Sequence, residues 1–288
     1  MLDQRDPSRE LVDFWNDTLE PKFTRFRKPL TRGLSLHSDQ VIPQLDLRPG
    51  DRVLDVGCGF GDTAADLAER VAPGGHVTGL DCCPGFLAAA RQHAEFCQIG
   101  NIDFREADAQ TCDFAPEYDF VFSRFGTMFF ASPVAGLKNM RRALKPGGGM
   151  TMMVWRTIDD NPCLKVPRDV VRDMLPEPGE DAQSCGPGPF SMAGEEMVSG
   201  QLRSAGYEDI RFTRIDAPWT VGDTVEEAIA FQLALGPAGE TYREAGAEAE
   251  ARHEEIVARL GEALAPYRTE NGVVMASSSW RIDARNPE

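Results

Sequence analysis

Hydrophobic positions between residues 52 and 155 alternate between short continuous runs and runs at helical spacing. Continuous runs closed by a turn predict buried strands at 52–56, 76–80, 102–105, 118–122 and 150–155. Apolar residues at helical spacing predict helices at 64–71, 84–94 and 134–144. Strands that alternate with helices are typical of a parallel sheet covered by helices on both faces.

The segments outside this alternating region have other patterns. The predicted organisation is an N-terminal helical lid at 1–48, a ligand-binding core at 49–156, a loop insertion at 157–190 and the rest of the sheet at 191–288. The insertion is rich in proline, glycine and acidic residues, which predicts a long loop around one short helix. The last part predicts a helix at 195–205, a strand at 207–215, surface helices over about 223–266 and a final strand at 273–284. We expect the insertion and the helices at 223–266 to cap a site.

The net charge of the chain limits the kinds of molecule that it is expected to bind. The 288 residues carry a formal net charge of −16. Binding to nucleic acid requires basic residues that displace counterions from phosphates, so we expect no nucleic-acid partner. A neutral or cationic small molecule suits an acidic protein better. No basic stretch with an apolar run opens the chain, and no apolar run reaches about 18 residues, so we expect a cytoplasmic protein without a membrane span.

The cysteines do not form a recognisable metal motif. There are seven of them, an odd number, with no Cys-x-x-Cys pair, and the chain has four histidines. We therefore expect no metal site and reduced thiols.

A glycine-rich turn closes the first predicted strand. The sequence from Val53 to Thr63 is VLDVGCGFGDT, and Asp81 ends the following strand. Glycines let the backbone turn sharply and let a ligand lie against it without a Cβ in between. An acid at the end of the following strand accepts hydrogen bonds from the ribose hydroxyls of a nucleoside. The unit therefore predicts a nucleoside-binding site.

Two cofactor classes compete for this turn. Dinucleotide-binding turns follow the pattern Gly-x-Gly-x-x-Gly, but Asp62 stands at the third glycine position. Asp55 and Asp62 would also repel a pyrophosphate placed at the start of the helix. S-adenosylmethionine (SAM) carries no phosphate and presents an ammonium and a sulfonium group. The charges therefore favour SAM over NAD.

The ordered motifs of residues 40–155 resemble those of class I SAM-dependent methyltransferases. After VLDVGCGFGDT come TGLDCCPGFL, FREADAQ, YDFVFSRFGTMFF and LKPGGGMTMMVW, each next to one predicted strand. Within that class, the chain resembles the small-molecule branch near the ubiquinone/menaquinone C-methyltransferases. The resemblance implies an α/β, Rossmann-like fold with a seven-stranded sheet, mostly parallel with an antiparallel last strand, helices on both faces, and helical and loop cap insertions.

The resemblance also implies roles for particular residues. The methionine part of SAM would lie on Gly57, Cys58 and Gly59, with Asp55 and Thr63 shaping the turn. The ribose hydroxyls would bind Asp81, and the adenine would lie near Cys82, Phe86, Asp108 and Ala109. The methionine end and the acceptor would face Ser123, Arg124 and Phe125.

Several of these residues have a structural alternative. Asp55 serves either as a ligand or as a support of the turn, and Asp108 either as a ligand or as a helix cap. Arg124 belongs either to the acceptor site or to an ion pair. Four residues near it, Phe125, Met128, Phe129 and Phe130, fit a core better than a pocket as a group, with one or two of them facing the ligand.

Catalytic candidates are few. His37 and Arg124 are the two candidates, although a lone histidine more often packs or caps than acts as a base. Trp15 and Phe26 either stack on the cofactor or pack the lid. Methyl transfer from a sulfonium is an in-line displacement that needs mainly positioning and exclusion of water.

The sequence therefore predicts SAM-dependent O-, N- or C-methylation of a small molecule. The alternatives are an NAD-linked oxidoreductase and a protein that binds SAM without catalysis or for another reaction. The motifs do not identify the acceptor or the oligomeric state.

Overall fold

The computed structural model describes residues 7–176 and 186–288. Positions 1–6 of the predicted lid and positions 177–185 of the predicted loop insertion lie outside the described residues. The strands are β1 Arg52–Val56, β2 His76–Asp81, β3 Ile102–Glu106, β4 Tyr118–Arg124, β5 Leu144–Trp155, β6 Glu208–Gly222, β7 Arg268–Thr269 and β8 Gly272–Arg285. The helices are α1 Pro7–Phe14, α2 Glu20–Arg25, α3 Arg27–Val41, α4 Asp62–Val71, α5 Pro84–Phe96, α6 Pro133–Ala143, α7 Pro162–Arg172, α8 Glu195–Ala205, α9 Val225–Ala234, α10 Gly236–Ala245, α11 Ala247–Ala251 and α12 His253–Leu264.

The strands form one sheet in the order β3-β2-β1-β4-β5-β8-β6, and the two-residue β7 pairs with β8. Strands β1 to β5 pair in parallel. Strand β8 runs antiparallel to both of its long neighbours, β5 and β6. The predicted sheet, mostly parallel with an antiparallel last strand, is confirmed. The order of strands reverses between β1 and β4, and ligands bind in the crevice at such a switch point in open α/β sheets.

Alternate residues of the central strands bury on opposite faces. Val53 of β1 belongs to one apolar cluster, which includes α4, and Leu54 belongs to the other, which includes α6. Phe120 and Val121 of β4 divide in the same way. Both faces of the strands are apolar because both are covered, which explains the continuous hydrophobic runs in the sequence.

The described residues of the N-terminal region, from Pro7 to Val41, are helical. Helices α1 and α2 are joined by a short π-helical turn at Trp15–Leu19, and α3 packs against β6. Trp219 of β6 lies against Gly33 of α3, where a Cβ would come within 2.1 Å of the indole. The same indole donates a hydrogen bond from Nε1 to the Pro29 carbonyl at 2.9 Å. These contacts fix the lid region on the sheet.

Several elements differ from the prediction. The insertion carries an eleven-residue helix, α7, that packs against α10 and α12. The helices at 223–266 are not only surface elements, because Ile256, Leu260 and Leu264 of α12 are completely buried. Strand β5 begins at Leu144 rather than Met150, because Tyr118 pairs with Leu144 across an irregular register.

Candidate active site

A cavity of about 290 Å³ lies at the carboxyl ends of the parallel strands. The end of each strand contributes to its wall: Val56 of β1, Asp81 of β2, Ala107 after β3, Arg124 of β4 and Trp155 of β5. The volume is close to the lower end of the range for small-molecule sites. The cavity is therefore where a ligand of this sheet topology is expected.

Most of the residues predicted from the sequence line this cavity. They are Gly57, Cys58, Gly59, Thr63, Asp81, Cys82, Phe86, Asp108, Ala109, Arg124 and Phe125. The remaining three, Asp55, Ser123 and His37, are buried behind its wall.

Asp81 holds the glycine-rich turn in place. Its Oδ2 accepts a hydrogen bond from the Gly59 N–H at 2.8 Å, and its Oδ1 accepts one from the Cys83 N–H at 2.9 Å. Burial raises the pKa of the Asp81 carboxyl, while these backbone donors oppose that rise. The carboxylate lines the cavity with acceptor capacity left, because each oxygen has more than one lone pair. It can therefore also accept hydrogen bonds from a ligand hydroxyl.

The turn leaves room for a ligand against the backbone. Gly59 has a φ of +54°, and a Cβ built on it would meet no atom within 4 Å. Since Gly59 lines the cavity, that space belongs to the ligand site.

Aromatic rings surround the cavity beside Asp81. The rings of Phe60 and Phe86 pack edge to face with centroids 4.8 Å apart, and Phe23 of α2 contacts Phe86. Trp15 packs against Phe23 and Phe129. All five rings line the cavity. Such a group of rings suits a flat heterocycle such as adenine.

Asp108 lies beside these rings and has a structural contact as well. Its Oδ1 accepts a hydrogen bond from the Gln110 N–H at 2.8 Å. The residue therefore supports the turn after β3 and also lines the cavity.

Arg124 forms an ion pair at the other side of the turn. Its Nη2 lies 2.5 Å from Asp62 Oδ2, and its Nη1 donates to the Ser38 hydroxyl at 3.1 Å. The side chain of Arg124 is 9% exposed and that of Asp62 is 21% exposed. The pair joins β4, α4 and α3, and both residues line the cavity. The ion-pair alternative for Arg124 is thus compatible with a place in the site.

Asp55 and Ser123 support the turn from behind. The Thr63 hydroxyl donates to Asp55 Oδ2 at 2.7 Å, and the Ser123 hydroxyl donates to the Val56 carbonyl at 2.8 Å. Both residues are completely buried and neither lines the cavity. Burial raises the pKa of Asp55 to about 7, against the hydrogen bond from Thr63. The structure favours the structural role for Asp55, in place of the direct contact with SAM.

His37 is held by two serines of β8. Its Nδ1 lies 2.9 Å from Ser279 Oγ, and its Nε2 lies 2.8 Å from Ser277 Oγ. Because the Ser277 hydroxyl donates to the Ala217 carbonyl, Ser277 accepts from Nε2–H and Ser279 donates to Nδ1. Burial lowers the pKa of His37 to about 4. Both nitrogens are occupied and the ring does not line the cavity, so the structure does not favour His37 as a general base.

An aromatic floor, which we define as Phe125, Trp155, Trp219 and Phe231, lines part of the cavity. Phe125 and Trp155 stack with centroids 4.1 Å apart and an interplanar angle of 25°. Trp155 and Trp219 stack at 5.6 Å and 15°, and Phe231 packs on Trp219. Phe125 has a φ of +58°, an unusual conformation for a bulky residue that recurs at functional sites.

Sequence analysis missed the walls that come from the lid and from the cap helices. These residues include Leu30, Thr31, Leu34, Leu164, Leu235 and Glu240. Of the two lid aromatics considered, Trp15 lines the cavity, whereas Phe26 packs behind Phe231. No motif identifies these positions, because they meet the turn only through contacts distant in sequence.

Comparison with known proteins finds one matching domain, and it lies within the core of the chain. Residues 53–148 match the family model described as a methyltransferase domain. The chain is 28% identical over 134 residues to the demethylmenaquinone methyltransferase of Listeria welshimeri, covering 46% of this chain and 57% of that protein. It is 34% identical over 111 residues to the protein of the same name from Geobacillus kaustophilus, covering 38% of this chain and 47% of that one. The chain thus spans about half the length of these curated relatives.

Solved structures share the fold. The YcgJ protein of Bacillus subtilis superimposes with a TM-score of 0.59 at 17% identity, covering 88% of this chain and 98% of that one. Phosphoethanolamine N-methyltransferase 2 of Haemonchus contortus, in complex with S-adenosyl-L-methionine, superimposes with a TM-score of 0.57 at 17% identity. The superposition covers 99% of this chain and 61% of that one. The predicted resemblance to class I SAM-dependent methyltransferases and the Rossmann-like fold are confirmed.

Proposed function

We propose that this chain, whose residues 53–148 match a methyltransferase domain, transfers a methyl group from SAM to a small molecule. One observation carries the proposal: the Asp81 carboxylate holds the Gly59 turn at 2.8 Å, inside a cavity at the carboxyl ends of the parallel strands. The curated relatives are named demethylmenaquinone methyltransferases, which makes demethylmenaquinone, in its reduced form, the first acceptor to test.

The residues of the cavity fit SAM. A nucleoside fits between Asp81 and the rings of Phe60 and Phe86, and the open space at Gly59 fits the chain that follows the ribose. SAM supplies an electrophilic methyl group on a sulfonium when it binds. The acidic residues Asp81 and Asp108 line the cavity and favour a cationic ligand.

The proposed role of each residue follows from its position in the cavity. Asp81 binds the ribose hydroxyls and Phe86 packs on the adenine side. Arg124 keeps Asp62 neutralised at the start of α4. The aromatic floor positions the acceptor and excludes water, which is the main requirement for an in-line displacement.

The structure gives no support to the alternative of an NAD-linked oxidoreductase. Helix α4 begins at Asp62, so a carboxylate stands where a pyrophosphate would meet the N-terminus. A protein that binds SAM without catalysis differs from our proposal only in the transfer step, so it needs an activity measurement.

The proposed setting is the cytoplasm, without a nucleic-acid partner. The net charge of −16 supports the latter. Among the described residues no helix has the length and apolar character to cross a membrane. Six cysteines in the described part of the chain are free thiols, which supports a reducing compartment.

Two measurements test the proposed function. Calorimetry should show SAM and S-adenosylhomocysteine binding, with NADH silent under the same conditions. Incubation with methyl-labelled SAM and reduced demethylmenaquinone, or a metabolite extract, should then give a labelled small product. Absence of SAM binding at millimolar concentration would refute the proposal, and binding without a labelled product would favour the non-catalytic alternative.

A further inference from the structure

A charged region lies in the cavity wall built by the lid and the cap helices. Glu240 and Arg243 of α10 and Lys22 of α2 all line the cavity there. Arg243 is already engaged, because it forms an ion pair with Glu244 and its guanidinium lies 5.1 Å from the centroid of the Phe14 ring.

Glu240, in contrast, has no ion-pair or hydrogen-bond partner in the described part of the chain. Among the residues that the structure describes, no side-chain or backbone donor hydrogen bonds to its carboxylate and no cation lies within 4.0 Å. The side chain is only partly exposed, and burial raises the pKa of the carboxyl, with Glu244 adding to the rise and Arg243 opposing it. A partly desolvated carboxylate without a partner is costly unless a ligand supplies the donor.

The same cavity has a flat apolar part. The stacked rings of Trp155 and Trp219, with the ring of Phe231, form most of the aromatic floor. Leu30 and Leu34 of α3 add aliphatic walls. Stacked indoles favour a flat aromatic ligand through face and edge contacts. A ligand that fills the cavity thus meets apolar rings and the Glu240 carboxylate, which has no partner among the described residues.

We propose that Glu240 accepts a hydrogen bond from a hydroxyl or ammonium group on the methyl acceptor, while the aromatic floor packs against the flat part of the same molecule. This inference rests on the proposed function, since it assigns the acceptor side of the same cavity. Glu240 acts as a specificity residue: it accepts the donor of the correct ligand and repels an anion at the same place.

Three bicyclic probes test the assignment, with S-adenosylhomocysteine bound beforehand. They are 2-naphthol, which carries a donor, 2-methylnaphthalene, which has a methyl group in its place, and 2-naphthoate, which carries an anion. Calorimetry on the wild type should give the tightest binding for 2-naphthol. Glu240→Gln should weaken 2-naphthol by about tenfold, because a hydrogen bond to a charged acceptor is replaced by one to a neutral acceptor. The same variant should tighten 2-naphthoate by about threefold, because a like charge is removed.

A matched control and a second variant complete the design. Glu262→Gln removes the same charge from an exposed position on α12 and should leave all three affinities unchanged. Glu240→Leu should weaken 2-naphthol at least as much as Glu240→Gln, and thermal melting checks that both variants fold.

The outcomes separate this proposal from the proposed function. If S-adenosylhomocysteine binds but 2-naphthol shows no preference over 2-methylnaphthalene, or none of the probes binds, the assignment of Glu240 is wrong and the cofactor site stands. Tighter binding of 2-naphthoate than of 2-naphthol to the wild type would make Lys22 the anchor and would also refute it. If S-adenosylhomocysteine itself fails to bind, the proposed function fails first.

Discussion

Replacing Gly59 by alanine should block the cofactor while costing the fold little. Gly59 lies at φ +54°, and a Cβ there would meet no protein atom within 4 Å. The left-handed backbone costs a non-glycine residue about 1–2 kcal/mol, so the free energy of unfolding should fall by that amount. The added methyl group projects into space that we assign to SAM, so SAM affinity should fall by at least about tenfold, or 1.4 kcal/mol.

Gly50→Ala is the matched control for backbone strain. Gly50 also has open space around its would-be Cβ, and its φ of +99° is less tolerant of a side chain. It lies before β1 and does not line the cavity. The control should therefore destabilise the fold at least as much as Gly59→Ala while SAM affinity stays at the wild-type value. Urea unfolding and SAM calorimetry on both variants give the two numbers. If Gly59→Ala bound SAM with wild-type affinity, the assignment of the space at Gly59 to SAM would be refuted.

Further predictions concern charged and titratable groups. Asp81→Asn leaves a backbone N–H facing an amide NH₂. Calorimetry should therefore show a SAM affinity reduced by about tenfold, and urea unfolding should show a free energy of unfolding reduced by about 1–3 kcal/mol. Neutral His37 contributes its full stabilisation above its unfolded pKa near 6.5, and this contribution is lost as the pH falls towards 4. Between pH 7.5 and 4, the free energy of unfolding of the wild type should therefore fall by about 3 kcal/mol more than that of His37→Gln, as measured by urea unfolding. Arg124→Gln leaves Asp62 without its partner and should cost about 3 kcal/mol, and a double variant with Asp62→Asn should recover part of this loss in the same assay.

The sequence predicts the core well because its signals are local. Continuous apolar runs mark strands that are buried on both faces, and the turns after them fall at glycines and prolines. Strand β2 ends at Asp81 and α5 begins at Pro84, both as predicted. Cavity residues close to the glycine-rich turn, such as Cys58 and Cys82, follow from the motif because adjacent parallel strands end at the same edge.

The remaining features depend on side-chain direction and on distant contacts. Asp55 and Ser123 stand next to cavity residues in the sequence, but they turn inward to hold Thr63 and the Val56 carbonyl. His37 meets serines that are about 240 positions away along the chain, a contact that no spacing reveals. Glu240 lies in an Ala/Glu-rich stretch that resembles a solvated helix, and only the packing of α10 brings it to the cavity.

A crystal structure of the chain with S-adenosylhomocysteine tests the central claim most directly. The account predicts that both ribose hydroxyls lie at hydrogen-bond distance, about 2.6–3.2 Å, from the Asp81 carboxylate, with the amino-acid chain passing over Gly59. A ligand bound away from the glycine-rich turn, or a ribose that makes no contact with Asp81, would contradict it.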